Sequence, residues 1–351
     1  MATALVPIVV KGCLLVVELP AVSGSVGSQE ANAAGPPPWV RGCWILTGPT
    51  ASGKTEVGVF LAQALGAEII SMDSMALYRG MDIGTAKPSG KQRQRVPHHL
   101  IDVLDPGEEA SVGWYLQQAQ AAVEQIRRRG QEVLFVGGTP LYLIALLRGL
   151  HPGPAPDPQL RQQLYRQAQL YGPLALHDQL RSVDPEAAQR IHPNDLKRIV
   201  RALEFYRLTG QKISQVQRHF HRSGPAQARA FVLQWPRQVL YERINRRVEQ
   251  MLRQGWVEEV AELVRSGRLG PTARQAVGYQ EIALHLQGKL PWPEMVQKIQ
   301  QRTRRYAKHQ LTWFQRLKEC IPVEMGEGIP LEEVVQRILR LGNQLSVSLP
   351  E

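Results

Sequence analysis

Eight consecutive residues, "GPTASGKT" (Gly48 to Thr55), constrain this chain more than any other stretch. They match the phosphate-loop pattern G-x-x-x-x-G-K-[ST] in full, and such a loop needs a strand before it and a helix after it. Both neighbours are present: the apolar run "CWILT" precedes the loop and "KTEVGVFLAQAL" follows with a helical pattern. With glycine near 7% of ordinary composition, a chance match in a chain of this length has odds on the order of one in a hundred. A glycine turn with no ligand would also leave the flanking elements as coincidence. The backbone amides of Ala51 to Lys54 are expected to cradle a pyrophosphate at the helix N-terminus, where the dipole favours anions. Lys54 adds a point charge, and the Thr55 hydroxyl is placed to ligate Mg²⁺.

Strands and helices then alternate. "AEIISMDS" reads as a second strand ending on Asp73, and "EVLFVGGT" as a third running into Gly137, Gly138 and Thr139. Between them, apolar residues at Val112, Leu116, Ala119, Val123 and Ile126 have helical spacing, with Ser111 to cap the start and Gly130 to end it. This alternation predicts an α/β fold with a parallel sheet and ligands at the carboxyl ends of its strands. "HPGPAPDP" (His151 to Pro158) interrupts it, and the chain then reads as helical to about Arg222. "AFVLQWP" restores one strand at Phe231 to Gln234, and helical, basic sequence follows.

The expected organisation is a P-loop NTPase-like core in two pieces, 39–150 and 225–320, with a helical insertion at 151–224 and basic C-terminal helices. Residues 321–351 read as a tail without signal. Residues 1–38 read as a poorly ordered extension: their apolar run is broken by Pro7, Lys11 and Glu18, too interrupted for a spanning helix of about 20 residues.

Charge narrows the partner. A net charge of +11 and a pI near 9.8 suit a polyanion such as nucleic acid, the alternative being a basic surface that only aids solubility. Three scattered cysteines without C-x-x-C spacing argue against a disulfide framework or a cysteine zinc site and fit a reducing cytosol. "NDLKRIVRALEFYR" carries Lys197, Arg198 and Arg201, and "TRRYAKHQLTWF" carries Arg304, Arg305, Lys308 and His309 with Tyr306, Trp313 and Phe314 between. Such stretches neutralise phosphates and stack on splayed bases, or they are amphipathic helices whose aromatics enter the core. Arg243, Arg246 and Arg247 form a third cluster that can face the phosphate site. Asp73 can ligate Mg²⁺, act as a general base, or cap the next segment. Lys87, in "MDIGTAKP", either meets an anion or merely sits in a turn.

Taken in order, "GPTASGKT", "DSMALYRGMDIGTAKP", "HHLIDVLDP", "VGGTPLYL", "HPNDLKRIVRALE", "ERINRRVEQML", "ARQAVGYQE" and "TRRYAKHQLTWF" resemble the tRNA dimethylallyltransferases (tRNA isopentenyltransferases) over residues 40 to 318. The resemblance implies transfer of a dimethylallyl group from dimethylallyl diphosphate to the exocyclic amine of the adenosine 3′ of the anticodon, with Mg²⁺. It implies catalytic roles for Asp73 (proton acceptor), Thr139 (donor to the leaving oxygen) and Arg247 (phosphate ligand). The diphosphate falls to Gly48, Thr50, Ala51, Ser52, Gly53, Lys54 and Thr55. Carried over motif by motif, the anticodon loop falls to Asp73, Ser74, Met75 and Ala76; to Arg161, Lys197, Arg198 and Arg201; to Arg274, Gly278 and Tyr279; and to Lys308, His309, Gln310 and Trp313. The family often has arginine where this chain has His309, and no zinc module follows the core. A cytoplasmic monomer without membrane attachment is expected.

Three rivals remain at this point. An adenylate isopentenyltransferase acting on AMP, ADP or ATP shares the loop, but the basic helices argue for a macromolecular acceptor. A nucleotide kinase needs a separate acidic Walker B position, and "VLFVGG" ends in glycines where that acid would sit. A tRNA-binding protein with a vestigial loop is the third.

Overall fold

The computed structural model describes residues 4–10, 13–19, 36–150, 153–216 and 228–346. Expectations for other positions, including most of the N-terminal extension and the helical stretch beyond 216, lie outside the described residues. In chain order the elements are β1 (Ala4–Val10), β2 (Cys13–Leu19), β3 (Trp44–Thr47), α1 (Lys54–Leu65), β4 (Ala67–Ser71), α2 (Gly90–Arg95), β5 (His98–His99), α3 (Val112–Arg128), β6 (Glu132–Val136), α4 (Pro140–Arg148), α5 (Pro158–Tyr171), α6 (Pro173–Val183), α7 (Pro185–Arg190), α8 (Leu196–Thr209), α9 (Ile213–Val216), β7 (Arg229–Gln234), α10 (Arg237–Arg253), α11 (Trp256–Arg265), α12 (Tyr279–Leu286), α13 (Trp292–Phe314), β8 (Cys320–Glu324) and α14 (Leu331–Ser346). The chain divides into two units, Gly35–Gly149 with Ser223–Glu351 and Met1–Ala34 with Leu150–Arg222.

The larger unit is built on a six-stranded sheet of order β5-β4-β6-β3-β7-β8, parallel throughout. Helices cover both faces, so β3 and β4 are buried at every residue; β3 is almost wholly apolar, while β4 also buries Glu68, paired with Arg129 and His99. Phe135 faces Trp39 on one side of the sheet, while Val136 meets Gly58 of α1 on the other. The chain leaves β3 in one direction, past β6 to β4, and leaves β6 in the other, past β3 to β7. Loops that diverge in this way open a crevice at the carboxyl ends of the strands.

The reading of 321–351 as a tail is corrected. β8 pairs with β7 from Ala230 opposite Cys320 to Gln234 opposite Glu324, and α14 buries Val334, Val335 and Ile338 against Leu46, Val57 and Phe231. Pro322 is tolerated because β8 is an edge strand, where a missing N–H costs no ladder bond. Gly342 of α14 lies against Trp44: a Cβ there would come within 2.1 Å of the indole, so only glycine lets this helix close on the sheet. A second departure is β5, a two-residue edge strand at His98–His99 that carries no apolar signal.

Helices α10 to α13 form a connected group, α10 packing on α11 and α13 and α12 on α11 and α13. Among the described residues no helix is long and apolar enough to cross a membrane.

In the smaller unit, β1 and β2 pair antiparallel from Ala4 opposite Leu19 to Val10 opposite Cys13. Helices α5 to α9 enclose their own core of Leu164, Leu176, Leu180, Ile199, Leu203 and Phe205. Inside it the wholly buried carboxylate of Glu204 accepts from Arg161 at 2.8 and 3.0 Å, from Arg201 at 2.6 Å and from the amide of Asp157 at 2.9 Å. A buried charge needs such saturation to be tolerated.

Candidate active site

The loop Gly48 to Gly53 leaves β3, and α1 begins at Lys54. Gly53 adopts φ +90°, and Ala51 also has a left-handed φ of 64°, so the loop folds back on itself. Its carbonyls are tied from outside. Lys54 Nζ donates to Pro49 O at 2.7 Å, Arg243 Nε to Ala51 O at 3.0 Å and Trp235 Nε1 to Ser52 O at 2.9 Å. Across a trans peptide the C=O and the following N–H point in opposite directions. Holding the Ser52 carbonyl outward therefore turns the Gly53 amide inward. The amides of Lys54 and Thr55 join it, since a first helical turn offers them no carbonyl four residues back. The expected cradle is narrower than Ala51 to Lys54, because the Ser52 amide is spent on Pro49 O at 3.2 Å.

These groups line a cavity of about 610 Å³ together with Asp73, Thr85 to Pro88, Gly137, Gly138, Arg243, Arg246, Arg247, Gln250, Tyr306 and Gln310. Arg243, Arg247 and Gln250 follow one another at helical spacing along α10, so one face of that helix supplies the cationic wall. Burial of the ammonium, reinforced by Arg247 and opposed by Asp73, lowers the Lys54 pKa to about 7. The Arg247 guanidinium is likewise lowered by burial; Asp73 opposes this and Arg243 adds to it. Lys54, Lys87, Arg243, Arg246 and Arg247 thus outnumber the two carboxylates on the wall, Glu56 and Asp73, which is the electrostatic condition of a site built for a polyanion.

Asp73 fills one of the roles left open by its sequence context and keeps an oxygen available for another. Its Oδ1 accepts from the amides of Met75 at 2.9 Å and Ala76 at 3.4 Å, capping the turn after β4. Its carboxylate also lines the cavity, and Oδ2 makes no hydrogen bond among the described residues. Thr139 is the N-cap residue of α4, and its hydroxyl oxygen accepts from the amide of Ser74 at 3.0 Å. Among the described residues the hydroxyl proton has only Ser74 Oγ at 3.4 Å to donate to, a weak contact that leaves it nearly uncommitted. Gly137 and Gly138, rather than Thr139, form the cavity wall. Gly48 does not line the cavity either; a Cβ there would meet Ser52 Oγ at 2.8 Å and the Leu233 carbonyl at 3.1 Å.

For a metal, the donors on the cavity wall include the hydroxyl of Thr55, the free oxygen of Asp73 and the carboxylate of Glu56. Hard oxygen donors suit Mg²⁺, which keeps most of its shell as water and phosphate oxygen. Among the described residues no cluster of three His, Cys, Asp or Glu side chains could hold an ion unaided.

Four of the residues matched to tRNA contacts are buried: Ala76, Gly278, Tyr279 and Gln310. Tyr279 is fully buried, its ring edge-on to Trp256 and its hydroxyl donating to Glu259 at 2.7 Å. Gly278 is buried as well, because a Cβ would come within 2.2 Å of the Trp256 ring. Gln310 is 2% exposed and hydrogen-bonded inside the core. In both Tyr279 and Gln310 the polar atoms are spent on internal partners; Tyr279 is withdrawn from the surface, while Gln310 borders the cavity with its amide already committed. Lys308, His309 and Arg274 are exposed, and Trp313 is half-buried with its indole N–H on His309 at 3.1 Å. Lys197 and Arg198 are exposed in the smaller unit, Arg198 pairing with Asp195, while Arg161 and Arg201 are drawn onto Glu204. Lys87, open between anion contact and turn, is structural: its ammonium meets Tyr78 O at 2.6 Å, Asp82 at 2.7 Å and Asp102.

Sequence reasoning missed Trp235 as a brace of the phosphate loop and Glu259 as an anchor. The Glu259 carboxylate accepts from the amides of Asp82 and Ile83 at 2.7 Å and Gly84 at 3.0 Å, so α11 holds the loop that carries "GMDIGT". The spacing of Arg243 to Gln250 was a signal for α10; nothing local marked the other two.

Comparison with known proteins gives one answer. The IPP transferase family matches residues 76–317, and the isopentenyl transferase family matches residues 41–102. A tRNA dimethylallyltransferase of Pelotomaculum thermopropionicum is 42% identical over 300 residues, 84% of this chain and 95% of that protein. A tRNA isopentenylpyrophosphate transferase structure from Bacillus halodurans is 38% identical, with a TM-score of 0.64 over 87% of this chain and 96% of that one. A eukaryotic dimethylallyltransferase acting on tRNA is 26% identical, with a TM-score of 0.75 over 88% of this chain and 80% of that one. With its phosphate loop, its cation-lined cavity and these relatives, the chain belongs to the tRNA dimethylallyltransferase family.

Proposed function

We propose that this protein transfers a dimethylallyl group from dimethylallyl diphosphate to the exocyclic amine of the adenosine 3′ of the anticodon in tRNA. The observation that carries the reading is the pairing, in one cavity, of a cation-rich diphosphate cradle with a carboxylate that keeps one oxygen free.

The chemistry follows from the groups present. The bond between the allylic carbon and the bridging oxygen breaks, and both electrons leave with diphosphate. The adenine nitrogen supplies the pair for the new carbon–nitrogen bond, and its proton passes to Asp73 Oδ2. Charge grows on the departing oxygen, so donors fixed beside it stabilise the transition state more than the ground state. Lys54, Arg247 and the amides of Gly53 to Thr55 supply that stabilisation, with Thr139 offering its uncommitted proton. Thr55 would hold a Mg²⁺ whose charge neutralises the diphosphate. An anticodon-loop base is single-stranded and leaves its stack for a few kcal/mol, which brings its amine to Asp73. Exposed Lys197, Arg198, Arg274, Lys308 and His309 are the groups we assign to the RNA backbone. We further propose a cytoplasmic monomer.

The test is direct. Purified protein is incubated with dimethylallyl diphosphate, unmodified tRNA and AMP, and the tRNA is digested to nucleosides and read by mass. An adenosine carrying one added five-carbon unit is the expected product. Label in AMP with none in tRNA would assign the protein to the adenylate-prenylating class, and ATP hydrolysis without prenyl transfer would assign it to the kinases.

A further inference from the structure

Gln310 reaches from α13 into the phosphate site with both ends of its amide in use. Its Oε1 accepts from the amide of Thr50, in the phosphate loop, at 2.8 Å. Its Nε2 donates to the carbonyl of Gly138 at 2.7 Å. That carbonyl and the Thr139 amide belong to one peptide plane, and the Thr139 N–H donates to Met72 O at 3.2 Å. The plane that sets the position of Thr139 is therefore gripped from both sides, by Gln310 and by the end of β4. Gly138 must be glycine for the grip to close, since a Cβ would lie 2.7 Å from Gln310 Nε2 and 3.2 Å from Gly48 O.

We infer that Gln310 is a positioning residue for the transfer step, clamping the phosphate loop to the Gly138–Thr139 peptide, and that its amide is committed to this clamp rather than to recognition of tRNA. The requirement is for an amide. One end must accept and the other donate, and glutamine is the one long side chain that presents both without charge. A carboxylate in its place would set an anion against the Gly138 carbonyl and beside the diphosphate. The neighbours of Gln310 in sequence, Lys308 and His309, point to solvent. A single turn of α13 thus carries an outward face suited to RNA and an inward residue committed to the catalytic loops.

The inference rests on the proposed diphosphate reading, and the experiment separates the two. Binding of inorganic pyrophosphate with Mg²⁺ to the free protein is measured by calorimetry. Binding of unmodified tRNA is measured separately, and single-turnover transfer gives the chemical step. Wild type is compared with Gln310→Met, Gln310→Glu and Gly138→Ala, each checked by thermal unfolding. In Gln310→Met the pyrophosphate Kd should rise about ten-fold or more, the scale of one displaced charge-assisted hydrogen bond. The transfer rate should fall about a hundred-fold as the donor to the leaving oxygen moves. The tRNA Kd should not change. Gly138→Ala forces the clamp apart without altering Gln310 and should reproduce the pattern, which keeps the test valid if Gln310→Met folds poorly. A raised tRNA Kd with unchanged pyrophosphate binding in the Gln310 variants would overturn the clamp and restore an RNA contact. Wild type that fails to bind pyrophosphate would overturn the diphosphate reading, and the clamp with it.

Discussion

The indole N–H of Trp235 donates to the Ser52 carbonyl at 2.9 Å, joining residues 183 positions apart. The same indole carries the Arg243 guanidinium 4.2 Å above its ring, and Arg243 in turn holds the Ala51 carbonyl. The phosphate loop is thereby fixed from outside before any ligand arrives, so little order has to be imposed on binding. Trp235→Phe keeps the ring beneath Arg243 and deletes only the N–H. One such bond is worth about 1 kcal/mol, so the pyrophosphate Kd should rise about five-fold with the transfer rate at saturation little changed. Calorimetry with single-turnover kinetics reads both, and an unchanged Kd would remove Trp235 from the site.

Lys54 supplies a pH signature. Its pKa in the free protein is lowered to about 7 by burial and by Arg247. A bound diphosphate favours the ammonium, so above pH 7 binding should draw a proton from solution, and affinity should decline as pH rises. Calorimetry in buffers of different ionisation heat measures that uptake. For stability the sign is opposite to that of a salt-bridged base. Between about 7 and the ordinary 10.5 the unfolded chain binds the proton and the folded chain does not, so this group makes the free protein more stable as pH climbs through that window. Lys54→Met should accordingly raise the melting temperature of the free protein at pH 7 while abolishing pyrophosphate binding. A lower melting temperature would show that the ammonium is not held at a cost.

The parts of this molecule that were readable in advance are those whose constraints are local. The buried stretches Trp44–Leu46, Val133–Phe135 and Ala230–Leu233 of β3, β6 and β7 are continuous apolar runs because both faces of these strands are covered; β4 shares the burial but interrupts its run with Glu68. The phosphate loop is contiguous, so its glycines and lysine announce it. β5 and β8 are edge strands in which polar residues and Pro322 are tolerated, which leaves no pattern to find. The α14 pattern at Val334, Val335 and Ile338 does have helical spacing, but only the sheet it covers tells that it belongs to the core. The braces of the site, Trp235, Arg243 and Gln310, act across 183 to 260 residues, so even where a basic cluster or a motif marks the residue, nothing local tells which loop it holds. Tyr279 and Gln310 also show why matching a motif does not settle which way a side chain faces. Their burial is decided by distant partners, α11 for Tyr279 and the loops at Thr50 and Gly138 for Gln310.

Asp73 can be divided by substitution into its two duties. Asp73→Asn keeps an oxygen to accept from Met75 and Ala76, so the cap survives, but the second position can no longer take a proton. Transfer should fall by about 10² to 10⁴, the range for a lost general base, with stability nearly unchanged. Asp73→Ala loses the cap as well and should cost about a further 1 kcal/mol of stability. Single-turnover rates and denaturant unfolding on both variants separate the duties. Equal rates for wild type and Asp73→Asn would exclude Asp73 as the proton acceptor.

Tyr279 and Glu259 make the sharpest contrast between a motif match and a structural role. The Tyr279 hydroxyl donates to a carboxylate that also holds three backbone amides, at Asp82, Ile83 and Gly84. Burial, with Glu259 beside it, raises the Tyr279 pKa far above the usual phenol value, so the hydroxyl stays protonated and donating. Tyr279→Phe removes one of four donors and should cost about 1 kcal/mol of stability with tRNA affinity intact. Glu259→Ala strands all three amides and should cost about 2 kcal/mol or more. Its effect should be concentrated in the loop 81–88, seen as lost amide-exchange protection there before any global unfolding. Weaker tRNA binding by Tyr279→Phe at unchanged stability would return Tyr279 to the RNA surface and contradict its burial.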